Sequence, residues 1–151
     1  MSTITRTARP ASGRWRPAVE ASCFGLAVLL GTALAANGIF MLVSPEIWYV
    51  SVPGVASTGP FNQHFLRDIG LISVFLGGAF LVGVVRADMR VPLWAGSSIW
   101  LLAHALFHVW EVAVGICAPS DLVRDFPAVT LPGLVGAALT LWAIWTPRSH
   151  V

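Results

Sequence analysis

The chain has 151 residues and a mean hydropathy of +0.78; 56% of it is hydrophobic and 11% charged, less than half the roughly 25% that a soluble domain spends on its surface. That balance excludes an ordinary water-soluble globule and leaves lipid as the solvent for the outside of the fold. The net charge of +2 arises from nine Arg, with no Lys, against seven acids; the Arg residues flank apolar runs instead of forming a patch, which excludes a nucleic-acid partner.

Residues 1–20 carry Arg6, Arg9, Arg14 and Arg16 without apolar periodicity and read as a basic cytoplasmic tail, with Trp15 as an interfacial anchor. The first apolar run covers about 21–43, long enough for a hydrocarbon core of about 30 Å. Gly31, Ala35 and Gly38 line one face of it and admit a close helix neighbour. A cleavable leader ending near Ala33-Leu34-Ala35 is the competing reading. The apolar run continues through Ile39 to Val43, so the first helix is expected to be retained.

Residues 44–61 hold Pro45, Pro53, Pro60, Gly54, Gly59, Trp48 and Tyr49 and predict an ordered aromatic loop at the outer interface. A second span is expected over 62–85, a third over 93–117 and a fourth over 127–145, with a short turn at Arg86–Arg90 and a polar loop at 118–125. Residues 147–151 form the second cytoplasmic tail. Pro132, inside the fourth span, predicts a kink. Gly77, Gly78 and Gly83 are expected at helix contacts, and Trp94, Trp142 and Trp145 at the inner interface. Cys23 and Cys117 fall at opposite faces and are expected to remain unpaired.

Orientation follows from the Arg residues. Arg6, Arg9, Arg14, Arg16, Arg86, Arg90 and Arg148 share one side, and Arg67 and Arg124 the other. The positive-inside bias then puts both termini in the cytoplasm. The expected fold is an all-α integral membrane four-helix bundle, up-down-up-down, spanning residues 21–146, in a bacterial plasma membrane.

Ionisable groups within the spans mark the functional candidates, because each costs several kcal/mol unless paired or hydrated. Ser97, Leu101, His104, His108, Glu111 and Gly115 step by four and three residues and share a helix face. His64, Arg67 and Asp68 open the second span, and Asn37 ends the first, at a similar depth. His104 and His108, one turn apart, could face one metal ion, with His64, Asp68 and Glu111 as further ligands and Asn37, Asn62 and Arg67 as outer hydrogen-bond partners. His104 and Glu111 lie about 10 Å apart along the axis, which strains a shared ion, so a single site would use the two His, or His104 with help from His64. The nitrogen and oxygen donors favour Zn, Cu or Fe. Haem b, held between His64 and His104 or His108, is a further candidate. The competing expectation is a non-catalytic accessory subunit or small carrier whose polar cluster is a hydrogen-bonded structural network. The expected partners are the lipid bilayer and a second copy or another membrane protein.

Two stretches, Gly59-Pro60-Phe61-Asn62-Gln63-His64-Phe65-Leu66-Arg67-Asp68-Ile69-Gly70 and His104-Ala105-Leu106-Phe107-His108-Val109-Trp110-Glu111, resemble small bacterial four-span proteins of unassigned function. The layout from about residue 20 to 145 more loosely resembles DoxX-like membrane proteins. The resemblance implies a four-helix membrane fold and, through the DoxX-like connection, a quinone as partner. No thiol pair is present to carry a sulfur-linked role.

Overall fold

The structure is a computed structural model that describes residues 16–146; the basic tail with Trp15 and the C-terminal tail lie outside the described residues. Within them the chain forms helices and no strand: α1 (Arg16–Val43), α2 (Pro45–Ser51), α3 (Val55–Thr58), α4 (Gln63–Val85), α5 (Arg90–Ala113), α6 (Pro119–Asp125), a π-helical turn (Phe126–Thr130) and α7 (Leu131–Trp145). Three stretches are long and apolar enough to cross a membrane: Pro17–Val43, Gln63–Val85 and Pro119–Trp145. Large apolar side chains are exposed on all four long helices, among them Leu29 on α1, Phe75 and Val85 on α4, Ile99 and Leu106 on α5, and Leu141 and Trp145 on α7. A surface of this kind requires an apolar solvent.

α1 and α4 make the most intimate pair. A Cβ on Gly77 would collide with Gly31 O and with the backbone and side chain of Ala35, and one on Gly38 with Gly70 O and Val74. Gly31 faces Gly77 while Gly38 faces Gly70, so the two helices run antiparallel with their backbones in contact. The stripe read from Gly31, Ala35 and Gly38 is this seam. Gly78, by contrast, has open space where its Cβ would stand and takes no part in packing.

α5 and α7 form the second antiparallel pair. Gly136 accommodates Ser98 and Phe80, and Gly133 packs on Leu101 and Leu102. Ser98 Oγ and Thr140 Oγ1 lie 3.2 Å apart across the pair, and each is also within hydrogen-bonding reach of a carbonyl of its own helix, Ser98 of Trp94 O and Thr140 of Gly136 O. One hydroxyl therefore donates across the pair while the other donates to its own helix. Trp94 joins the two halves. It is fully buried with Ala27, Phe80, Leu101 and Leu139, donates from Nε1 to Phe80 O at 3.0 Å and fills the space over Gly83. The interfacial role expected of Trp94 is therefore replaced by a core role. Trp145 is exposed, and Trp142 stacks on Trp94.

Three boundaries differ from the sequence expectation, each for a local reason. α5 stops at Ala113 because Gly115 adopts φ +79°. Gly115 N then donates to Val112 O and Ile116 N to Glu111 O, the paired bonds of a Schellman ending. The expected polar loop 118–125 is helical: Pro119 sets the first helical φ, and the Asp121 carboxylate accepts from Ala118 N. Where a kink was expected at Pro132, the irregularity is a π-helical turn just before it, in which Leu131 N donates to Phe126 O five residues back. The aromatic loop after α1 is ordered, as expected, and contains α2 and α3. At the opposite end, Arg86 pairs with Asp88 across the tight turn, and Arg90 donates to Gly83 O and Val84 O, closing the end of α4.

Candidate functional site

The polar residues expected to form one set fall into two places. His64 and Asp68 pair with each other at 3.4 Å on the first turns of α4, where the His64 side chain is 90% exposed. Beside them, Arg67 donates from Nε to Leu42 O, and its terminal nitrogens lie against the Gln63 side-chain amide. Asn62 caps this helix by accepting from Phe65 N at 3.0 Å. Asn37 accepts from Trp48 Nε1 at 2.9 Å, which ties α2 to α1. Asn37, Asn62 and Arg67 thus hold the chain around the loop at this end of the molecule.

The second place is the C-terminal half of α5 and the start of α6. The 4-3-4 spacing on α5 does put Ser97 and Leu101 into the core, with His104, His108 and Glu111 half-buried further along. The Trp100 ring stacks on His104 with centroids 5.3 Å apart, and the His104 and His108 rings meet edge to face at 4.8 Å. His108 Nδ1 lies 3.5 Å from Asp125 Oδ2, with 22% and 18% of the two side chains exposed. Arg124 grips Asp125 from Nε (2.7 Å) and Nη2 (3.2 Å) and donates from Nη1 to Asp121 Oδ1 at 2.8 Å. A continuous line of contacts therefore runs Trp100–His104–His108–Asp125–Arg124–Asp121. It climbs from the middle of α5 to the end of the molecule that carries α2 and α3.

Glu111 stands beside this line. Its backbone carbonyl closes α5, and its carboxylate acts on Cys117. Burial first, and then the Glu111, Asp121 and Asp125 carboxylates, push the Cys117 thiol up, while Arg124 pulls it down. Both Cys117 and Cys23 are free thiols.

Asp121 and Asp125 were not singled out in the sequence, and Arg124 only for its bearing on orientation, since 118–125 reads as a polar loop. The i, i+3 spacing of Asp121 and Arg124 behind Pro119 was the available helical signal. Among the described residues, no group of three or more His, Cys, Asp or Glu is placed to hold a metal ion. His104 and His108 are the part of the expected ligand set that the fold brings together, and His64 with Asp68 stands apart as an exposed pair.

Comparison with known proteins finds no matching family model, no matching curated protein and no matching solved structure, so nothing there bears on the DoxX-like resemblance. What can be argued about function rests on this geometry.

Proposed function

We propose that the chain is a four-span protein of a bacterial plasma membrane, with both termini inside, whose His104–His108–Asp125 line takes up and passes protons at the outer face. α5 is the fourth span. Its 24 residues reach about 36 Å at 1.5 Å per residue, enough for the hydrocarbon core, although Arg90, His104, His108 and Glu111 dilute its apolar character. The antiparallel α1–α4 and α5–α7 pairs, linked by short connections, support an up-down-up-down order. The Arg distribution supports the inward termini.

The observation that carries the proton reading is that His108 touches both His104 and Asp125. A neutral imidazole donates from one ring nitrogen and accepts at the other, and it titrates in the physiological range when free. His108 Nδ1 and the Asp125 carboxylate, 3.5 Å apart, form a donor–acceptor pair that needs no redox partner to pass a proton, and His104 stands beside it with the two rings packed edge to face. Ionisable groups held at membrane depth serve proton relays in this way. Among the described residues no three or more His, Cys, Asp or Glu are grouped to hold a metal ion, and the Asp125 carboxylate is already engaged by Arg124, which favours a proton role over a metal-bound one.

Proteoliposomes under a potassium diffusion potential, loaded with a pH-sensitive dye, test this reading. Proton flux in the unaltered protein is expected to fall to the level of empty liposomes in His108→Phe. Equal flux in the two proteins overturns the proposal, as does no flux in either.

A structural network is the second reading. It is favoured by the finding that no buried side-chain nitrogen or oxygen among the described residues lacks a hydrogen-bond partner. It predicts that His108→Phe lowers the melting temperature in detergent and that neither protein conducts protons.

A further inference from the structure

We propose that Arg124 is the positioning residue of this site: it straps the turn before α3 down onto α6 and, through the same guanidinium, holds Asp125 against His108. The inference builds on the site proposed above. Gly54 enters α3 with φ +88°, and a Cβ built on it would fall on Cζ, Nη2 and Nε of Arg124. The flat face of the guanidinium is thus packed directly on the Gly54 backbone. Its edge is spent on carboxylates, Nε and Nη2 on the two oxygens of Asp125 and Nη1 on Asp121. Only a planar cation with a fork of donors can be sandwiched this way.

The two layers that Arg124 joins are each stiff on their own. On one side, Ser57 Oγ donates to Gly54 O at 2.6 Å and Tyr49 OH to Gly59 O at 2.7 Å, so the α2–α3 segment docks as one piece. On the other side, Asp121 also accepts from Ala118 N, which fixes the start of α6. Asp125 Oδ2 is shared, at 3.2 Å from Arg124 Nη2 and 3.5 Å from His108 Nδ1. Its place relative to the imidazole is therefore set by where the strap holds Arg124. Residues 52–59 are thus latched by the same side chain that holds Asp125.

Two measurements on the full-length protein in lipid nanodiscs test this: amide hydrogen exchange over residues 52–59 and the imidazole nitrogen resonances of His108 in histidine-labelled protein. In Gly54→Ala and in Arg124→Gln, exchange over 52–59 is expected to quicken about tenfold, as when local opening loses a charge-assisted contact. The His108 Nδ1 resonance is expected to shift in the same variants. Gly59→Ala is the control, because a Cβ there meets nothing within 4 Å, and it is expected to match the unaltered protein in both readouts. The proposal is overturned if either readout is unchanged in Gly54→Ala and Arg124→Gln, or if Gly59→Ala reproduces their effect. Should Gly54→Ala fail to fold, Arg124→Gln decides alone. Absence of proton flux would sink the functional reading while leaving both of these readouts intact, so the two failures are separable.

Discussion

Cys117 reports on the charge around the site without touching the line of histidines. Its thiol is raised, so the reactive thiolate is scarce until the medium is more alkaline than an ordinary cysteine requires. At about pH 8 its alkylation is expected to lag behind that of a free cysteine, the rate climbing as pH rises further. Glu111→Gln removes one of the raising charges and is expected to quicken alkylation, whereas Arg124→Gln removes the lowering charge and is expected to slow it. Time courses of iodoacetamide labelling read by mass spectrometry check both signs. Trp94 offers a stability test at the same scale. Trp94→Ala should cost about 3–5 kcal/mol, the range for deleting a large aromatic from a core. Trp94→Phe should cost about 1 kcal/mol for the lost hydrogen bond to Phe80 O, together with a smaller packing loss. Thermal unfolding in detergent would show no difference between the two if Trp94 sat at an interface. The sequence could not make this distinction, because a Trp near a helix end suits a headgroup layer and a core equally well. What separates them is Gly83 on the next helix, which leaves the space the indole fills.

At the scale of elements, the α1–α4 seam was legible and the α5–α6 junction was not. Small residues at helical spacing announce a close approach, and Gly31, Gly38, Gly70 and Gly77 bear that out. Gly77→Leu is accordingly expected to separate α1 from α4 and to abolish the cooperative melting of the full-length protein, since the new side chain meets backbone atoms that have nowhere to go. Gly78→Leu, on the open side of the same turn, is expected to leave melting nearly unchanged. A matched loss in both variants would mean that helix propensity rather than packing governs α4. The His104–His108 contact was equally readable from its four-residue spacing. Its partner Asp125 was hidden because the helical turn that presents it depends on a Schellman ending at Gly115, a proline start at Pro119 and a π turn at 126–130. None of these local devices leaves an apolar periodicity. His64 and Asp68 show a different limit of sequence spacing. Similar depth along an axis says nothing about which way a side chain faces around it, and these two face outward at the head of α4.

For the whole molecule, the apolar belt is the dominant fact, and α5 is the element that strains it. A helix bearing Arg90, His104, His108 and Glu111 is a poor passenger alone, and α7 covers the face that carries Ser98, Leu101 and Leu102. A cysteine scan follows from the proposed orientation. With Cys23 and Cys117 replaced, single cysteines at Ser57 and Ser120 are expected to react with a membrane-impermeant maleimide added to intact cells, and one at Asp88 only after permeabilisation. Labelling at Asp88 from outside would invert the orientation, and labelling at Ser57 and Ser120 from opposite sides would remove α5 as a span.

The glycine seam has a mechanical consequence. Where backbone rests on backbone there are no rotamers to change, so α1 and α4 can only move as one body. The other pair meets backbone only at Gly133 and is otherwise joined through side chains and a pair of hydroxyls, and a turn widened by one residue leads into α7 between Asp125 and Leu131. Bending is concentrated where a helix departs from its regular ladder. The compliant point of the molecule thus lies within one turn of the carboxylate that meets His108, and the stiff half provides the frame against which it flexes.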